Sequence, residues 1–321
     1  MFKFIIKEIS KEQALDMIRK YHYSNTLPRL NKHFIGFYLD DNLVGVVTLG
    51  WGTRPKHTIQ KLFPSLDTKD YFEIGRMCMT EEMPRNSESQ MLSQLIQYIK
   101  NNFKEIKVLF TWADGMLGKA GYVYQASNFL YAGYSETDIY LKDGVKIHPR
   151  QTKSIFGVKG DKRKSIRPKL NQMFICNIEH YRGRQFRYVK FICSKTIKKK
   201  LMKECLEDLN LNYPKEKDLS WKKQDLNTKK WVMTGKPPYK TDMKDKDNNV
   251  AIEDIKEKIE YIRNIARNII SKIDITANYI EVPIKYKNQY IREVILDELK
   301  NNNINYDIGI VENSFYFKKN N

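Results

Sequence analysis

The stretch "TWADGMLGKAGY" (111–122) puts a carboxylate at the end of an apolar run. Val108 to Trp112 has the pattern of a buried strand, and Asp114 follows it directly, ahead of three glycines. Strands of open α/β sheets present what lies beyond their carboxyl ends to ligands. Asp114 therefore fits a binding or catalytic site. It fits equally well the cap of a helix at an ordinary strand-to-helix turn, and the residues themselves leave both interpretations open.

A second group with chemical potential is "YHYS" (21–24), which follows a predicted helix. The imidazole of His22 and the phenol of Tyr23, taken with Asp114, could act as base and proton relay for an amine of low basicity. The same nitrogen and oxygen atoms form a ligand set that suits iron. Taken alone, His22 is better explained as an exposed or capping histidine.

A third group lies in "MTEEMPRNSESQMLSQLI" (79–96), where a predicted strand leads into an amphipathic helix. The start of a helix offers unpaired backbone N–H groups and a partial positive charge, which suit a pyrophosphate. Arg85 adds a cation, while Ser87 and Ser89 add hydroxyl groups. The alternative is that Asn86 or Ser87 simply caps the helix, and both interpretations can hold at once.

The elements that must position these residues follow a recognisable order. The pattern predicts strand, helix, hairpin, strand, helix, strand, helix, strand and strand over the first 195 residues, which is characteristic of acyl-CoA-dependent N-acetyltransferase folds. We predict an α/β (α+β) fold with a GNAT-like acyltransferase core and a mixed central sheet. The predicted elements are strand 2–9, helix 11–21, strands 33–39, 43–49 and 72–79, helix 89–103, strand 107–112, helix 122–131, strands 134–142 and 187–193, and helix 198–209.

The chain is long enough for more than one domain. We predict a catalytic domain at 1–210 with a basic insertion at about 143–185, a basic extended arm or linker at 211–249, and a small C-terminal α/β domain at 250–321. The arm is poor in apolar residues and rich in turn formers. The C-terminal domain is neutral and holds no cluster of His, Cys or paired carboxylates, so we expect it to be dispensable for chemistry and to serve a homodimer or a partner.

Positive charge is concentrated in one part of the chain. Of the net charge of +19, residues 142–250 carry +17, with 29 Lys and Arg against 12 Asp and Glu, interleaved with aromatic residues. This combination indicates nucleic acid as the partner, although a merely soluble basic surface is the alternative. The candidate DNA-binding residues are Arg29, Arg182, Arg184, Arg187, Lys198, Lys199 and Lys200.

The sequence gives no sign of export or of a membrane. It has no apolar stretch of about 18 residues and no signal-peptide pattern at its start. The four cysteines lack CxxC spacing and nearby histidines, so they predict reduced thiols of a cytoplasmic protein instead of a zinc site or disulfides.

Four segments in combination resemble one family. "YHYSNTLPRLN" (21–31), "FEIGRMCM" (72–79), "PRNSES" (84–89) and "TWADGMLGKAGYVYQASNFLYAG" (111–133) are similar to the phage Mom family of DNA-modification proteins, which themselves resemble N-acetyltransferases. The resemblance spans roughly residues 1–195 and does not account for the C-terminal domain.

The resemblance implies modification of the exocyclic N6 of adenine in double-stranded DNA to a carbamoylmethylated form, which protects phage DNA from restriction in the host cytoplasm. It also implies acetyl-CoA or a related acyl donor, and raises an iron centre. The residues it points to are His22, Tyr23, Asp114 and Tyr124 for catalysis, Arg85, Asn86, Ser87, Ser89 and Asn128 for the donor, and His22, Tyr23 and Asp114 for iron.

Two departures and two alternatives accompany this resemblance. The Gly-rich phosphate loop usual in acetyltransferases is missing, and the position of their general-acid tyrosine holds Phe129, with Tyr124 and Tyr131 close by. The alternatives are acylation of tRNA or of a protein amine, and a non-catalytic nucleic-acid-binding protein. A target base in a duplex would have to be flipped out, and Phe186 or Trp221 could then stack on it or fill the gap.

Overall fold

The computed structural model describes residues 2–24, 27, 30–52, 55–147, 151–157, 166–238, 248–271, 279–282, 289–301, 306–311 and 314–319, and it forms a mixed α/β fold. Up to residue 142 its helices and strands are β1 (Ile5–Glu8), α1 (Lys11–Tyr21), β2 (Asn31–Leu39), β3 (Asn42–Gly50), α2 (Ile59–Leu62), β4 (Tyr71–Met79), α3 (Ser87–Asn102), β5 (Val108–Asp114), α4 (Tyr122–Ala126) and β6 (Leu130–Lys142). Further along the chain are β7 (Val145–Ile147), α5 (Thr152–Phe156), α6 (Leu170–Ile175), β8 (Ile178–Phe191), α7 (Lys195–Glu204), β9 (Trp221–Gln224), β10 (Trp231–Thr234), α8 (Asn248–Ser271), β11 (Tyr279–Val282), α9 (Gln289–Asn301), β12 (Tyr306–Val311) and β13 (Ser314–Lys319).

The chain divides into two compact units. The first comprises residues 1–137, 182–222 and 233–244, and the second comprises 138–181, 223–232 and 245–321. The boundary therefore falls within β6, β8, β9 and β10, so that the chain passes from one unit to the other several times. These bounds differ from the three consecutive domains that the sequence suggests.

In the first unit the sheet has the strand order β1-β2-β3-β4-β5-β8-β6. The pairs from β1 to β4 are antiparallel, β4 and β5 are parallel, and β5 and β8 are antiparallel, which makes the sheet mixed. Apolar side chains of α3, including Met91, Leu92 and Leu95, are fully buried against it. The predicted mixed α/β core is confirmed.

Helix α1 shows how the local sequence sets these elements. Ser10 accepts a hydrogen bond from the amide of Gln13 at 3.2 Å, and the Gln13 side chain accepts one in return from the amide of Ser10 at 3.1 Å. This capping box fixes the first turn. Ala14 and Ile18, one turn apart, are fully buried, and the helix ends at Tyr21, directly before His22. The end of α1 thus positions "YHYS".

The second unit has its own apolar core. Three isoleucines of α8, Ile252, Ile255 and Ile259, pack with residues of β6 and of the segment that follows it, among them Tyr140 and Ile155. Strands β11, β13 and β12 form a separate antiparallel sheet in that order. The apolar face of α8 is covered by side chains from residues 138–181. The second unit therefore joins the basic insertion to the C-terminal residues around one core.

Most predicted elements are observed within one to three residues, including α1, the β2–β3 hairpin, β4, α3 and β5. The main difference concerns residues 211–249, where we expected an extended arm. Here β9 pairs with β8 and with β10, so part of this polar segment extends the sheet. Across the described residues, no helix is both long enough and apolar enough to cross a membrane.

Candidate active site

A cleft opens in the first unit where two neighbouring strands part. Strands β4 and β5 pair only from Tyr71 with Val108 to Ile74 with Thr111. Beyond that point the residues of both strands line a cavity of about 920 Å³. A gap between paired strands exposes backbone groups and side chains at the carboxyl end of a parallel pair, where α/β sheets bind ligands. The lining residues are 22–23, 74–77, 83–86, 88–89, 112–114 and 119–126.

Asp114, the last residue of β5, lines this cleft and also caps the turn that follows. Its Oδ1 accepts a hydrogen bond from the amide of Met116 at 3.0 Å. The cap interpretation is therefore confirmed, and the position of Asp114 in the cleft leaves its catalytic role a prediction. The glycines have separate roles: Gly121 has φ +89°, and a Cβ there would lie 2.6 Å from the ring of Tyr188, so glycine lets this loop approach the sheet.

His22 lines the cleft as a neutral imidazole. Burial lowers its pKa to about 3, and the nearby cations Arg76 and Lys119 act in the same direction. Its Nδ1 lies 2.9 Å from the amide nitrogen and 3.0 Å from the carbonyl oxygen of Ser24. The ring is thus held in place, and at physiological pH it offers a hydrogen-bonding group without charge.

Tyr23 lies between the imidazole of His22 and the ammonium group of Lys119. Its ring stacks on His22 with centroids 4.2 Å apart, and Lys119 Nζ lies 4.8 Å from the centroid. Burial raises the pKa of the phenol, and the charge of Asp114 raises it further. The phenol therefore keeps its proton, which it can share with a neighbouring carboxylate.

Arg76 was missed by the sequence reasoning. It lines the cleft from β4, and its guanidinium donates to the carbonyl of Gly75 at 2.7 Å and to Ser24 Oγ at 3.1 Å. Burial lowers its pKa, whereas the nearby Tyr23 and Asp114 oppose that shift. The sequence signal for Arg76 is a cation within the apolar run "FEIGRMCM" (72–79). Because burying an arginine is costly without partners, a cation at such a position indicates polar groups or a ligand beside it.

Two further ionisable groups accompany Arg76. On β4, Glu73 has its pKa raised to about 7 by burial, with Arg76 opposing. Lys119, which lines the cleft, has its pKa lowered by burial while Asp114 and Glu88 oppose this. The residues that line the cleft thus include three cations, Arg76, Arg85 and Lys119, against two carboxylates, Asp114 and Glu88, a balance that favours a ligand or transition state carrying negative charge.

Tyr124 is buried at the base of the cleft. Burial raises the pKa of its phenol, and a hydrogen bond with Thr111 opposes the shift. Its ring packs between Phe129 and Tyr188, at centroid distances of 5.6 and 5.5 Å. Phe129 is fully buried in the core and Tyr131 does not line the cleft, whereas Tyr124 lines it together with Tyr122 from the same segment.

The start of α3 forms the wall opposite this loop. Asn86 has φ +72° and makes no capping hydrogen bond with its side chain, so no side chain caps the helix. Ser87 is buried and donates to the carbonyl of Pro84 at 2.6 Å, away from the cleft. Arg85, Asn86 and Ser89 line the cavity, which leaves the start of α3 with the features that bind phosphate.

One predicted donor-binding residue lies elsewhere. Asn128 is exposed, does not line the cleft, and its carbonyl accepts a hydrogen bond from Lys190 Nζ at 3.0 Å. The structure therefore brings together seven of the nine residues predicted for catalysis and donor binding. They are His22, Tyr23, Tyr124, Asp114, Arg85, Asn86 and Ser89.

The residues proposed for iron do not form a fitting site. Among the described residues there is no cluster of three or more His, Cys, Asp or Glu side chains placed to hold a metal ion. His22 and Asp114 share the cleft with Arg76 and Lys119. The positive charges of these two residues lower the pKa of His22 and would repel a metal cation. Iron is therefore not supported by this arrangement.

The predicted DNA-binding residues are dispersed. Arg187 is buried and donates to Glu207 Oε1 at 2.9 Å, so it supports the fold. Arg184 donates to the carbonyl of Asp218 at 2.9 Å and lies over the ring of Tyr134. Arg182 is half-buried and Arg29 lies outside the described residues. The exposed lysines 198–200 lie in the middle of α7.

Those lysines lie far from Asp114. Lys198 Nζ is 5.7 Å from the ring of Phe191, and Phe191 pairs with Val108 at the end of β5 opposite Asp114. The six steps of β5 correspond to roughly 20 Å. Likewise, Phe186 and Trp221 are buried, and Trp221 Nε1 donates to the carbonyl of Gly115 at 2.8 Å, so neither ring is placed to stack on a base.

Comparison with known proteins identifies relatives of the first 215 residues. A model of the Mom protein family matches residues 3–215, which confirms the predicted family. The methylcarbamoylase Mom of Escherichia phage Mu is 29% identical over 203 residues, covering 61% of this chain and 78% of that protein.

Solved structures with a similar arrangement are acetyltransferases. One from Bacillus subtilis is 11% identical, covers 59% of this chain and 99% of its own, and has a TM-score of 0.32. An N-acetyltransferase from Staphylococcus aureus Mu50 is 14% identical, covers 60% and 100%, and has a TM-score of 0.33.

Proposed function

Because the chain belongs to the Mom protein family, we propose that it is a phage-encoded transferase that modifies the N6 amine of adenine in double-stranded DNA with a carbamoylmethyl group. The observation that carries this proposal is the cleft between β4 and β5, which collects Asp114, Tyr23 and His22 beside the start of α3. The methylcarbamoylase of phage Mu supports the nature of the transferred group. The resulting DNA would resist restriction in the host cytoplasm.

The acceptor side of the reaction needs a base, because the exocyclic amine of adenine must lose a proton as the new bond forms. Asp114 is suited to this task, with the protonated phenol of Tyr23 beside it as a relay. His22, with a pKa of about 3, is a poor base near neutral pH. As a neutral imidazole it instead orients the acceptor or polarises a carbonyl group.

The donor side follows from the opposite wall. The acetyl group of acetyl-CoA contains no nitrogen, so we propose a related coenzyme A carrier that bears the whole carbamoylmethyl group, with its pyrophosphate at the start of α3 beside Arg85. The bond from N6 to the transferred carbon would form as the bond from that carbon to the carrier breaks, and the carrier would leave with the electron pair. Arg76 and Lys119 would stabilise negative charge that develops on the transferred group. A cavity of about 920 Å³ is in the range that accommodates a small-molecule ligand together with part of a nucleotide.

Duplex DNA as the acceptor is supported by charge. The net charge of +19 lies almost entirely in residues 142–250, and α7 exposes Lys198, Lys199 and Lys200. Because each neutralised phosphate contributes about −0.9 to the log–log salt dependence, duplex binding should weaken steeply with added salt.

The test is mass analysis of nucleosides from cells that express the protein. DNA and tRNA are hydrolysed separately and compared with material from cells that carry an empty vector. A modified deoxyadenosine in the DNA fraction is expected. A modified nucleoside in tRNA alone, or acylated protein with unmodified nucleosides, would move the acceptor to another polymer, and unmodified material with tight duplex binding would indicate a binding protein.

Two histidine variants link the product to the cleft. His22→Ala removes the neutral imidazole from the cavity, whereas His57→Ala removes an exposed imidazole on the turn Pro55–His57, outside it. We expect modification to fall sharply in the first variant and to stay at the wild-type level in the second. Equal modification in both, with both proteins folded, would separate the activity from this cleft.

A further inference from the structure

The rim of the cleft carries an exposed aromatic residue, Tyr122. Its side chain lines the cavity and 49% of its surface is exposed. It follows Gly121, the glycine that brings this loop against the sheet, and is the first residue of α4. Since large aromatic side chains lose favourable burial when they are exposed, a half-exposed tyrosine at the mouth of a cavity indicates a surface for a ligand.

The other aromatic residues that line the cleft already have their faces occupied. Tyr23 lies between His22 and Lys119, and Tyr124 packs between two rings of the core. Trp112 packs edge-to-face against Phe110 with centroids 5.4 Å apart. Among the described lining residues, Tyr122 is thus the aromatic with the most surface left for stacking.

A cation is held beside this ring. Lys215 Nζ lies 5.6 Å from the centroid of Tyr122, and it donates to Gln125 Oε1 at 3.1 Å. The side chain of Lys215 also passes near Tyr213, at 5.9 Å from its centroid. Lys215 thus holds a positive charge over one face of the Tyr122 ring, and a base would stack on the other face. An aromatic ring with a cation beside it is the combination that proteins use to bind an unstacked base and its phosphate.

We propose that Tyr122 is the stacking platform for an adenine extruded from duplex DNA, with Lys215 beside it to neutralise a flanking phosphate. This inference rests on the proposed function, because it concerns how the acceptor reaches the cleft. An amine within a base pair is not accessible to a recessed carboxylate such as Asp114, so the base must leave the stack. A platform at the rim lowers the cost of holding it outside the duplex.

The experiment measures extrusion directly, without requiring transfer. When adenine leaves the helix its partner thymine becomes unstacked, and permanganate then oxidises that thymine. The probe is a duplex fragment of several hundred base pairs of mixed sequence, incubated with the full chain. We expect the wild-type protein to create hyperreactive thymines opposite adenines, and Tyr122→Phe to retain them because the ring is unchanged.

Tyr122→Ala should lower this reactivity by about 5- to 150-fold, the equivalent of losing about 1–3 kcal/mol of base stacking. The matched control is Tyr134→Ala, which removes another exposed tyrosine next to a cation, Arg184, outside the cleft. It should behave as wild type. The modified deoxyadenosine in cells should change in parallel with thymine reactivity across the four proteins.

Three outcomes would overturn the proposal. They are thymine reactivity that bound wild-type protein does not change, equal reactivity with wild type and Tyr122→Ala, and an equal loss of reactivity in Tyr122→Phe and Tyr122→Ala. If Tyr122→Ala kept the reactivity but lost modification, Tyr122 would be assigned to the donor. If extrusion depends on Tyr122 while wild-type protein leaves DNA unmodified, the stacking role stands and the proposed transfer reaction fails.

Discussion

Replacing Asp114 separates its two roles, because alanine and asparagine remove different parts of it. Asp114→Ala removes the oxygen that accepts the Met116 amide at 3.0 Å, and loss of such a cap costs about 0.5–2 kcal/mol. It also leaves Arg76 and Lys119 without the carboxylate that raises their pKa values, which adds destabilisation of the same sign. Asp114→Asn keeps an oxygen that can accept the Met116 amide but removes the same charge, so its unfolding free energy should exceed that of Asp114→Ala by about the 0.5–2 kcal/mol of the cap.

Activity should follow the other role. If Asp114 takes the proton from the amine, both variants lose the general-base contribution, about 10²- to 10⁴-fold in the rate of modification. The assay combines thermal unfolding of each purified variant with the amount of modified deoxyadenosine in DNA from cells that express it. Ser10→Ala supplies the control, since it removes a helix cap of α1, an exposed residue outside the cleft.

Ser10→Ala should lose stability and keep modification per folded molecule, whereas Asp114→Asn should stay folded and lose modification per folded molecule. Near-normal modification by a stable Asp114→Asn protein would refute the catalytic role. Asp114 would then be a cap that happens to line the cleft.

Three further predictions follow from buried groups. Burial gives His22 a folded pKa of about 3, against about 6.5 when unfolded. The unfolded chain therefore binds a proton that the folded chain does not, so the free energy of unfolding is unaffected above pH 6.5 and falls as the pH drops below it. His22→Gln should shrink the difference in unfolding free energy between pH 7 and pH 5 by about 2 kcal/mol, measured by denaturant titration. Ile255→Ala should lower the unfolding free energy by about 2–5 kcal/mol, because the side chain is fully buried in the second core, and an unchanged midpoint would contradict that packing. Arg187→Ala should lower the unfolding free energy by about 1.5–3 kcal/mol, because it removes the hydrogen bond to Glu207. The salt dependence of duplex binding should stay unchanged. A flatter salt slope would show instead that Arg187 contacts phosphate.

The Ile255 prediction replaces the expectation that residues 250–321 are dispensable. Deleting them would remove α8 and uncover the apolar side chains of Tyr140, Ile155 and their neighbours. We therefore expect a truncated chain to lose the fold of the second unit.

Local sequence patterns predicted the elements and several residues of the site, because periodicity and capping act over a few residues. The pattern predicts the end of β5 at residue 112 and the start of α3 at residue 89, each within two residues of the observed ends at Asp114 and Ser87. Arg76 was missed because a lone cation in an apolar strand has no local pattern that reports its partners. The packing of α8 against residues 138–181 was missed for a similar reason, since an amphipathic face does not name the surface that covers it.

Buried residues account for the remaining differences. Arg187 was grouped with surface cations because charge alone does not reveal that Glu207 lies beside it. Phe186 and Trp221 were chosen as stacking residues for their type, whereas their burial depends on contacts distant in sequence. Tyr122, which the pattern did not distinguish from its neighbours, is exposed at the first position of α4.

Tandem mass spectrometry of deoxyadenosine tests most directly whether the cleft that holds Asp114 modifies adenine. The DNA comes from cells that express the wild-type protein or Asp114→Asn. We expect the wild-type sample to give a base fragment with the added mass of a carbamoylmethyl group on adenine. The Asp114→Asn sample should lack that fragment although the variant is folded. An unmodified adenine fragment in the wild-type sample, or the same modified fragment in both samples, would contradict the claim that this cleft modifies adenine.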